Sequence, residues 1–122
     1  MASLAEAKLT DVERQALDLF VEMASRELGD DLHAVWLYGS RARGEGEFGE
    51  SDVDVLVITA RGRKDGDLLH ELMWEAREAA GDIALIMSTT VQTPAWLEGR
   101  REIEDFFIQE VDRDKIVLYG HP

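Results

Sequence analysis

The apolar residues of this chain recur at helical spacing in two long segments. The apolar positions of the first are Val12, Ala16, Leu19, Phe20 and Met23, and those of the second are Leu68, Leu69, Leu72, Met73, Ala76 and Ala80. This spacing predicts two amphipathic helices. Thr10 and Glu13 form a capping box at the start of the first helix, in which each side chain accepts a hydrogen bond from the other residue's backbone N–H. Gly29 and Gly81 predict where the two helices end.

Shorter apolar runs predict strands over residues 32–38, 53–59, 83–87 and 116–119. Thr93 followed by Pro94 is typical of a helix N-cap and first helical position, which predicts a short turn through Leu97. A last helix is predicted over residues 100–111, and its inward-facing residues would be Ile103, Phe106, Phe107 and Val111.

The predicted order of elements is helix, strand, strand, helix, strand, helix, strand. The connection between the first two strands is too short for a crossover helix, so the pattern predicts that they pair antiparallel. We expect the helices to pack on one face of a small mixed sheet, giving a two-layer α+β fold. The chain shows no internal repeat and no interdomain linker, so residues 1–122 are expected to form a single domain.

Two carboxylates open the second predicted strand. Asp52 and Asp54 are two residues apart, so strand alternation places both on one face, with Cα atoms about 6.5–7 Å apart. Two like charges about 6 Å apart repel by about 3 kcal/mol at an effective dielectric constant of about 20. A divalent cation with a preference for oxygen ligands, magnesium or manganese, would relieve that repulsion.

The end of the first predicted strand supplies groups suited to phosphate. Gly39 allows the backbone to approach a ligand closely, and Ser40 offers a hydroxyl and an N–H group at the start of a short predicted helix. Arg41 and Arg43 add positive charge, although each could instead pair with the acidic residues Glu45, Glu47 and Glu50. Together with the paired aspartates, these residues indicate nucleoside triphosphate chemistry.

The segments Gly39-Ser40-Arg41-Ala42-Arg43-Gly44 and Ser51-Asp52-Val53-Asp54 resemble the signature of the nucleotidyltransferase superfamily of DNA polymerase β. The small size of the chain most resembles the minimal nucleotidyltransferases, which are the antitoxin partners of HEPN-domain toxins. This resemblance implies a nucleotidyltransferase fold. It also implies a site in which Gly39, Ser40, Arg41 and Arg43 bind the nucleotide, while Asp52 and Asp54 are catalytic and hold one or two Mg²⁺ ions.

The resemblance also implies a third catalytic, metal-binding carboxylate on a neighbouring strand. Alignment of the apolar residues puts Ala84 at that position, and Asp82 lies two residues earlier on the same face, about 6.6 Å away along the strand. A small difference in register would make Asp82 the third ligand. The alternative is that Asp82 only begins the strand after Gly81.

The activity implied by the resemblance is Mg²⁺-dependent transfer of AMP from ATP to a hydroxyl group, in particular a tyrosine of a HEPN toxin. Related enzymes that modify small molecules carry a further helical domain, so we expect the acceptor platform to come from another protein or from a second copy of the chain. The main alternative is a weak or inactive member that neutralises its partner by binding alone. A third is a small-molecule adenylyltransferase that acts as a homodimer.

The net charge of −13 limits the classes of partner. It argues against direct binding of nucleic acid, which needs clustered Lys and Arg, and it suits a basic protein partner. The chain has no cysteine and no apolar run long enough to span a membrane, and its first residues lack a signal-peptide pattern. We therefore expect a cytoplasmic protein that does not contact membranes.

Overall fold

The computed structural model of the protein describes residues 7–45, 52–81 and 87–122. The helices are α1 (Asp11–Leu28), α2 (Gly66–Ala80), α3 (Pro94–Glu102) and α4 (Phe106–Asp114). The strands are β1 (Leu32–Tyr38), β2 (Val53–Thr59), β3 (Met87–Gln92) and β4 (Ile116–Gly120). No helix in these described ranges is long and apolar enough to cross a membrane.

Local signals determine the ends of the first two helices as predicted. The Thr10 side chain accepts a hydrogen bond from the Glu13 backbone N–H, and the Glu13 side chain accepts one from the Thr10 N–H, which confirms the capping box. Gly29 follows the end of α1, and Gly81, with a φ of 96°, ends α2. A left-handed backbone of this kind is a common helix stop, and glycine adopts it without steric cost.

The sheet has the strand order β3-β2-β1-β4. β1 pairs antiparallel with both β2 and β4, whereas β2 and β3 run parallel. The predicted antiparallel pairing of the first two strands and the mixed sheet are therefore confirmed, as is the α+β class.

One part of the predicted architecture is wrong, because helices cover both faces of the sheet rather than one. The first core lies between the sheet and the helices α1 and α2, and its strand residues include Val35, Leu37, Val55 and Val57. The second core contains Trp36, Leu56 and Ile58, together with residues of α3 and α4. The physical reason is that β1 and β2 are apolar on both faces, so each face must be covered.

The last predicted helix is also divided in two. α3 ends at Glu102 and α4 starts at Phe106, because Asp105 accepts a hydrogen bond from the Phe107 N–H and caps a new helix. Glu104, with a φ of 53°, lies in the break. The prediction that Ile103, Phe106, Phe107 and Val111 all face inward is correct only for Val111. The core residues of α4 are Ile108 and Val111, and Ile103, Phe106 and Phe107 are exposed.

The third predicted strand lies mostly among residues 82–86, which are outside the described ranges. The described strand β3 begins at Met87, where the predicted strand ends, and it continues to Gln92. The sequence pattern missed Ser88, Thr89 and Thr90 because they are polar. They are tolerated here because β3 is at the edge of the described sheet, where a half-buried strand suits β-branched threonine.

Candidate functional site

The end of β1 and the start of β2 meet at one corner of the sheet. Tyr38 and Asp54 are direct register partners in the antiparallel pair, and Gly39 follows Tyr38 with a φ of 80°. A Cβ atom on Gly39 would lie 2.5 Å from Oδ2 of Asp54. Two separate reasons therefore favour glycine at position 39. Its backbone conformation is one that other residues rarely adopt, and the Asp54 carboxylate occupies the space that a side chain would need.

Asp54 lies on the face of β2 that carries the second core, on the same side as Leu56 and Ile58. Burial raises the pKa of Asp54, the negative charge of Asp52 raises it further, and Arg43 acts in the opposite direction. Asp52 is exposed just before β2 begins. The two carboxylates are therefore near enough to repel each other, as their spacing predicted.

A pocket of about 350 Å³ opens beside Asp54. Four of the residues predicted for the site line it, namely Gly39, Ser40, Arg43 and Asp54. Its other lining residues are Tyr38 from β1 and Phe107, Glu110 and Val111 from α4. The structure thus brings the glycine-serine turn, one arginine and one aspartate into a single concave space.

The sequence pattern did not predict that α4 contributes to this pocket. The ring of Phe107 packs edge-on against Tyr38, with ring centroids 5.6 Å apart. Burial raises the pKa of Tyr38, a hydrogen bond with the Thr90 side chain lowers it, and the charge of Asp54 raises it. No local pattern places Phe107 or Glu110 here, because their position depends on the break between α3 and α4.

Arg43 lies at the rim of the pocket and is engaged by carboxylates. Its Nε atom is 3.3 Å from Glu45 Oε2, and its Nη1 atom is 3.6 Å from Asp114 Oδ2 on α4. Arg43 therefore pairs with Glu45, one of the three acidic residues that were predicted as alternative partners. The other two, Glu47 and Glu50, lie outside the described residues. Because the Arg43 side chain is 37% exposed, these pairs are weak and leave it accessible to an anion.

Arg41 occupies a different environment from Arg43. Its guanidinium is buried and donates to both carboxylate oxygens of Glu13, at 2.8 and 3.1 Å, and to the Lys8 carbonyl at 2.9 Å. The Lys8 N–H in turn donates to the Arg41 carbonyl at 2.9 Å. Arg41 therefore ties the glycine-serine turn to the start of α1, and it is not among the residues that line the pocket.

The third predicted carboxylate, Asp82, lies outside the described residues, so its position stays a prediction. Within the described part of β3, the residue beside Asp54 in the parallel pair is Ser88. The described ranges also contain no group of three His, Cys, Asp or Glu side chains arranged to hold a metal ion. In these ranges, only Asp52 and Asp54 correspond to the predicted ligand set.

Comparisons with known proteins identify the family of this chain and proteins of similar fold. Residues 17–116 match the nucleotidyltransferase domain family. The fold is similar to chains in crystal structures of two mutants of the toxin-antitoxin pair MntA-HpeT. The first match has 15% sequence identity and a TM-score of 0.52, and covers 83% of this chain and 71% of that chain. The second has 20% identity and the same TM-score, and covers 83% and 70%.

No match to this chain is found among curated proteins. The matched segment includes the glycine-serine turn, both aspartates, and β1, β2 and β3, and it ends at Ile116, the first residue of β4. This confirms the resemblance of the two short motifs to nucleotidyltransferases. The chain belongs to the nucleotidyltransferase domain family.

Proposed function

We propose that this protein transfers AMP from ATP to a hydroxyl group of a partner protein in a Mg²⁺-dependent reaction, in which the hydroxyl oxygen bonds to the α-phosphorus and pyrophosphate leaves. The observation that carries the proposal is the contact between Asp54 and Gly39 in a pocket that Ser40 and Arg43 also line. A carboxylate, a glycine turn and an arginine in one concave space suit a nucleotide whose phosphates are bound by a cation.

The residues present fit a divalent cation. Asp54 is partly buried and carries a raised pKa, in part because Asp52 is negative, so a cation between them would lower the energy of both carboxylates. Asp52 and Asp54 would hold the ion, and Asp82 is our predicted third ligand. Bound Mg²⁺ supplies charge neutralisation at the phosphates and lowers the pKa of an attacking hydroxyl.

The other residues act on the nucleotide itself. Gly39 lets the backbone approach the phosphates, and Ser40 offers its hydroxyl and N–H group. Arg43 neutralises phosphate charge, and its weak contacts with Glu45 and Asp114 keep it near the pocket until an anion replaces them. Arg41 contributes indirectly, because its buried pair with Glu13 holds the turn in place.

We propose a tyrosine of a HEPN toxin as the acceptor. Two observations support this choice. The similar folds come from toxin-antitoxin structures. The net charge of −13 also suits a partner with a basic surface, such as an RNA-binding protein.

A second candidate is a protein that neutralises the toxin by binding alone. The observation in its favour is that Ser88, the register partner of Asp54 on β3, is not a carboxylate, so the described ranges hold no third acidic ligand for a two-metal site. This candidate predicts inhibition of the partner without transfer of AMP.

Incubation with α-labelled ATP and the protein encoded by the adjacent reading frame distinguishes the two candidates, because only the enzyme would transfer labelled AMP to that protein. An Asp52→Asn, Asp54→Asn double variant should lose transfer of labelled AMP. Asp67→Asn, an exposed carboxylate in the first turn of α2, is the matched control and should transfer normally. If the parent protein neutralises its partner without labelling it, and the double variant does so equally well, the enzymatic proposal is wrong.

A further inference from the structure

Three large apolar side chains are exposed at the junction of α3 and α4. Ile103 is 69% exposed, Phe106 is 73% exposed and Phe107 is 40% exposed. We call these three residues the junction patch. Elsewhere in the described ranges, Trp74 is the large hydrophobic residue with comparable exposure. Clustered exposed apolar side chains mark interaction surfaces more often than isolated ones do.

The junction patch is held in place by ion pairs and hydrogen bonds. Arg100 pairs with Asp105 at 2.8 Å across the break, and Asp105 also caps α4. Arg101 donates two hydrogen bonds to Asp112, at 2.9 and 2.7 Å, and thereby joins α3 to α4. A surface that is ordered before binding loses less conformational entropy when a partner arrives.

The rim of the junction patch is negative. The nearby cations Arg100, Arg101 and Arg113 are each paired with an aspartate. The carboxylates Glu102, Glu104 and Glu110 are also exposed, and the charge of Glu110 acts on Arg113 as well. A surface that is apolar at its centre and acidic at its rim complements a protein that presents an apolar side chain flanked by Lys or Arg. A second copy of this chain would instead place like charges against each other.

The junction patch is continuous with the pocket. Phe107 belongs to both, and Glu110 lines the pocket on the next turn of the same helix. A protein bound to the patch would therefore have surface groups at the mouth of the pocket that contains Asp54.

We propose that the junction patch is the docking surface for the protein that receives the nucleotide, recognised through an apolar side chain bordered by basic residues. This inference rests on the proposed function, because it assigns the acceptor's binding surface for the same site. It is nevertheless tested by binding, which does not require that transfer occurs.

The test is an Ile103→Ser, Phe106→Ser double variant, titrated calorimetrically against the protein encoded by the adjacent reading frame. We expect Kd to rise by about tenfold or more, because central apolar residues dominate binding energy. Trp74→Ser is the matched control, since Trp74 is 47% exposed but lies on α2, on the other side of the sheet. Its Kd should equal that of the parent. Both side chains in the double variant are exposed, so its circular dichroism and Tm should match the parent's.

A second variant tests the charged rim. Glu102→Gln with Glu104→Gln should slow association and reduce its dependence on salt concentration, while Mg²⁺-ATP binding should be unchanged in both double variants. If the Ile103→Ser, Phe106→Ser variant binds the partner with an unchanged Kd, the inference is overturned. It is also overturned if the parent is a dimer that this variant dissociates, because the occupant is then a second copy.

Failure of the proposed function gives a different result. Asp54→Asn should abolish AMP transfer and bind the partner with the parent's Kd. If Asp54→Asn still transfers AMP, the proposed site is wrong, and the binding data on the junction patch still decide the docking surface independently.

Discussion

Oδ2 of Asp54 lies 2.5 Å from the point where a Cβ atom on Gly39 would be placed. The two residues come from different strands, and Tyr38, next to Gly39, is the register partner of Asp54. The glycine turn and the carboxylate of the proposed site therefore lie against each other, and a side chain added at Gly39 would displace the Asp54 carboxylate.

A methyl group at Gly39 should therefore disable the site. Gly39→Ala should lower the free energy of unfolding by about 1–2 kcal/mol because of the left-handed backbone. It should also displace the Asp54 carboxylate and reduce AMP transfer by about tenfold or more, as a misplacement of about 1 Å is enough to do. Radiolabel transfer and chemical denaturation measure the two effects.

Gly81→Ala is the control for this substitution. Gly81 has a φ of 96°, but a Cβ atom there would meet no atom of the described residues within 4 Å. The Gly81→Ala variant should therefore lose a similar amount of its free energy of unfolding and should transfer AMP at the rate of the parent. Equal losses of activity in both variants would mean that strain alone, and not the contact with Asp54, explains the result.

The buried pair between Arg41 and Glu13 should dominate the stability of the turn. Glu13→Gln keeps a side chain that can serve the capping box but leaves the buried guanidinium without its carboxylate. We expect a loss of about 3 kcal/mol in the free energy of unfolding. Glu22→Gln, which removes the exposed ion pair with Arg26, should cost less than about 1 kcal/mol.

The same pair predicts how stability depends on pH. Burial acts to raise the pKa of Glu13, but hydrogen bonds from Arg41 and from the Thr10 backbone, with the charge of Arg41, lower it overall from its usual 4.5. A lowered pKa stabilises the folded protein above the unfolded-state value, and that stabilisation is lost as the pH falls through the folded value. As the pH falls below about 5, the free energy of unfolding should therefore decrease more steeply for the parent than for Glu13→Gln. Chemical denaturation at a series of pH values measures this difference.

The pKa of Asp54 should respond in opposite directions to its two charged neighbours. Asp52→Asn removes a negative charge and should lower the pKa of Asp54, whereas Arg43→Gln removes a positive charge and should raise it. Carboxyl ¹³C NMR titration of the metal-free protein measures both shifts. The absence of any shift in Asp52→Asn would contradict the proximity of the two carboxylates.

Mg²⁺-ATP should stabilise the parent protein through Asp52 and Asp54. At a ligand concentration about 100 times Kd, binding to the folded state alone adds about 2.7 kcal/mol to the free energy of unfolding. The Tm of the parent should therefore rise with Mg²⁺-ATP, and that of Asp52→Asn should rise much less. Asp67→Asn should behave as the parent does, and an equal rise in Asp52→Asn would place the ion elsewhere.

The elements that the sequence predicted best carry their signals locally. The capping box that starts α1 involves only Thr10 and Glu13, three residues apart. The strands β1 and β2 end at the residues that their apolar runs predicted. The site could be predicted in part for the same reason. Gly39 directly follows β1 and Asp54 is the second residue of β2. Because these two strands are consecutive and pair antiparallel, the contact needs no distant element.

The errors lie where distant contacts decide the outcome. Residues 100–111 have helical periodicity, but the cap by Asp105 and its pair with Arg100 divide the helix and expose Phe106. Arg41 and Arg43 are equivalent by sequence, yet only Arg43 lines the pocket, because Glu13 binds the other from a helix that begins 30 residues earlier in the chain.

The sequence by itself determined the antiparallel pairing of β1 and β2 and the corner at which a glycine turn meets an aspartate, because short-range spacing specifies both, and its two short motifs indicated the family. Only the tertiary structure decided that helices cover both faces, that Arg41 is buried against Glu13, and that α4 forms one wall of the pocket. Those outcomes depend on contacts between buried charges and apolar faces that are distant in the sequence. A local sequence pattern does not specify such contacts.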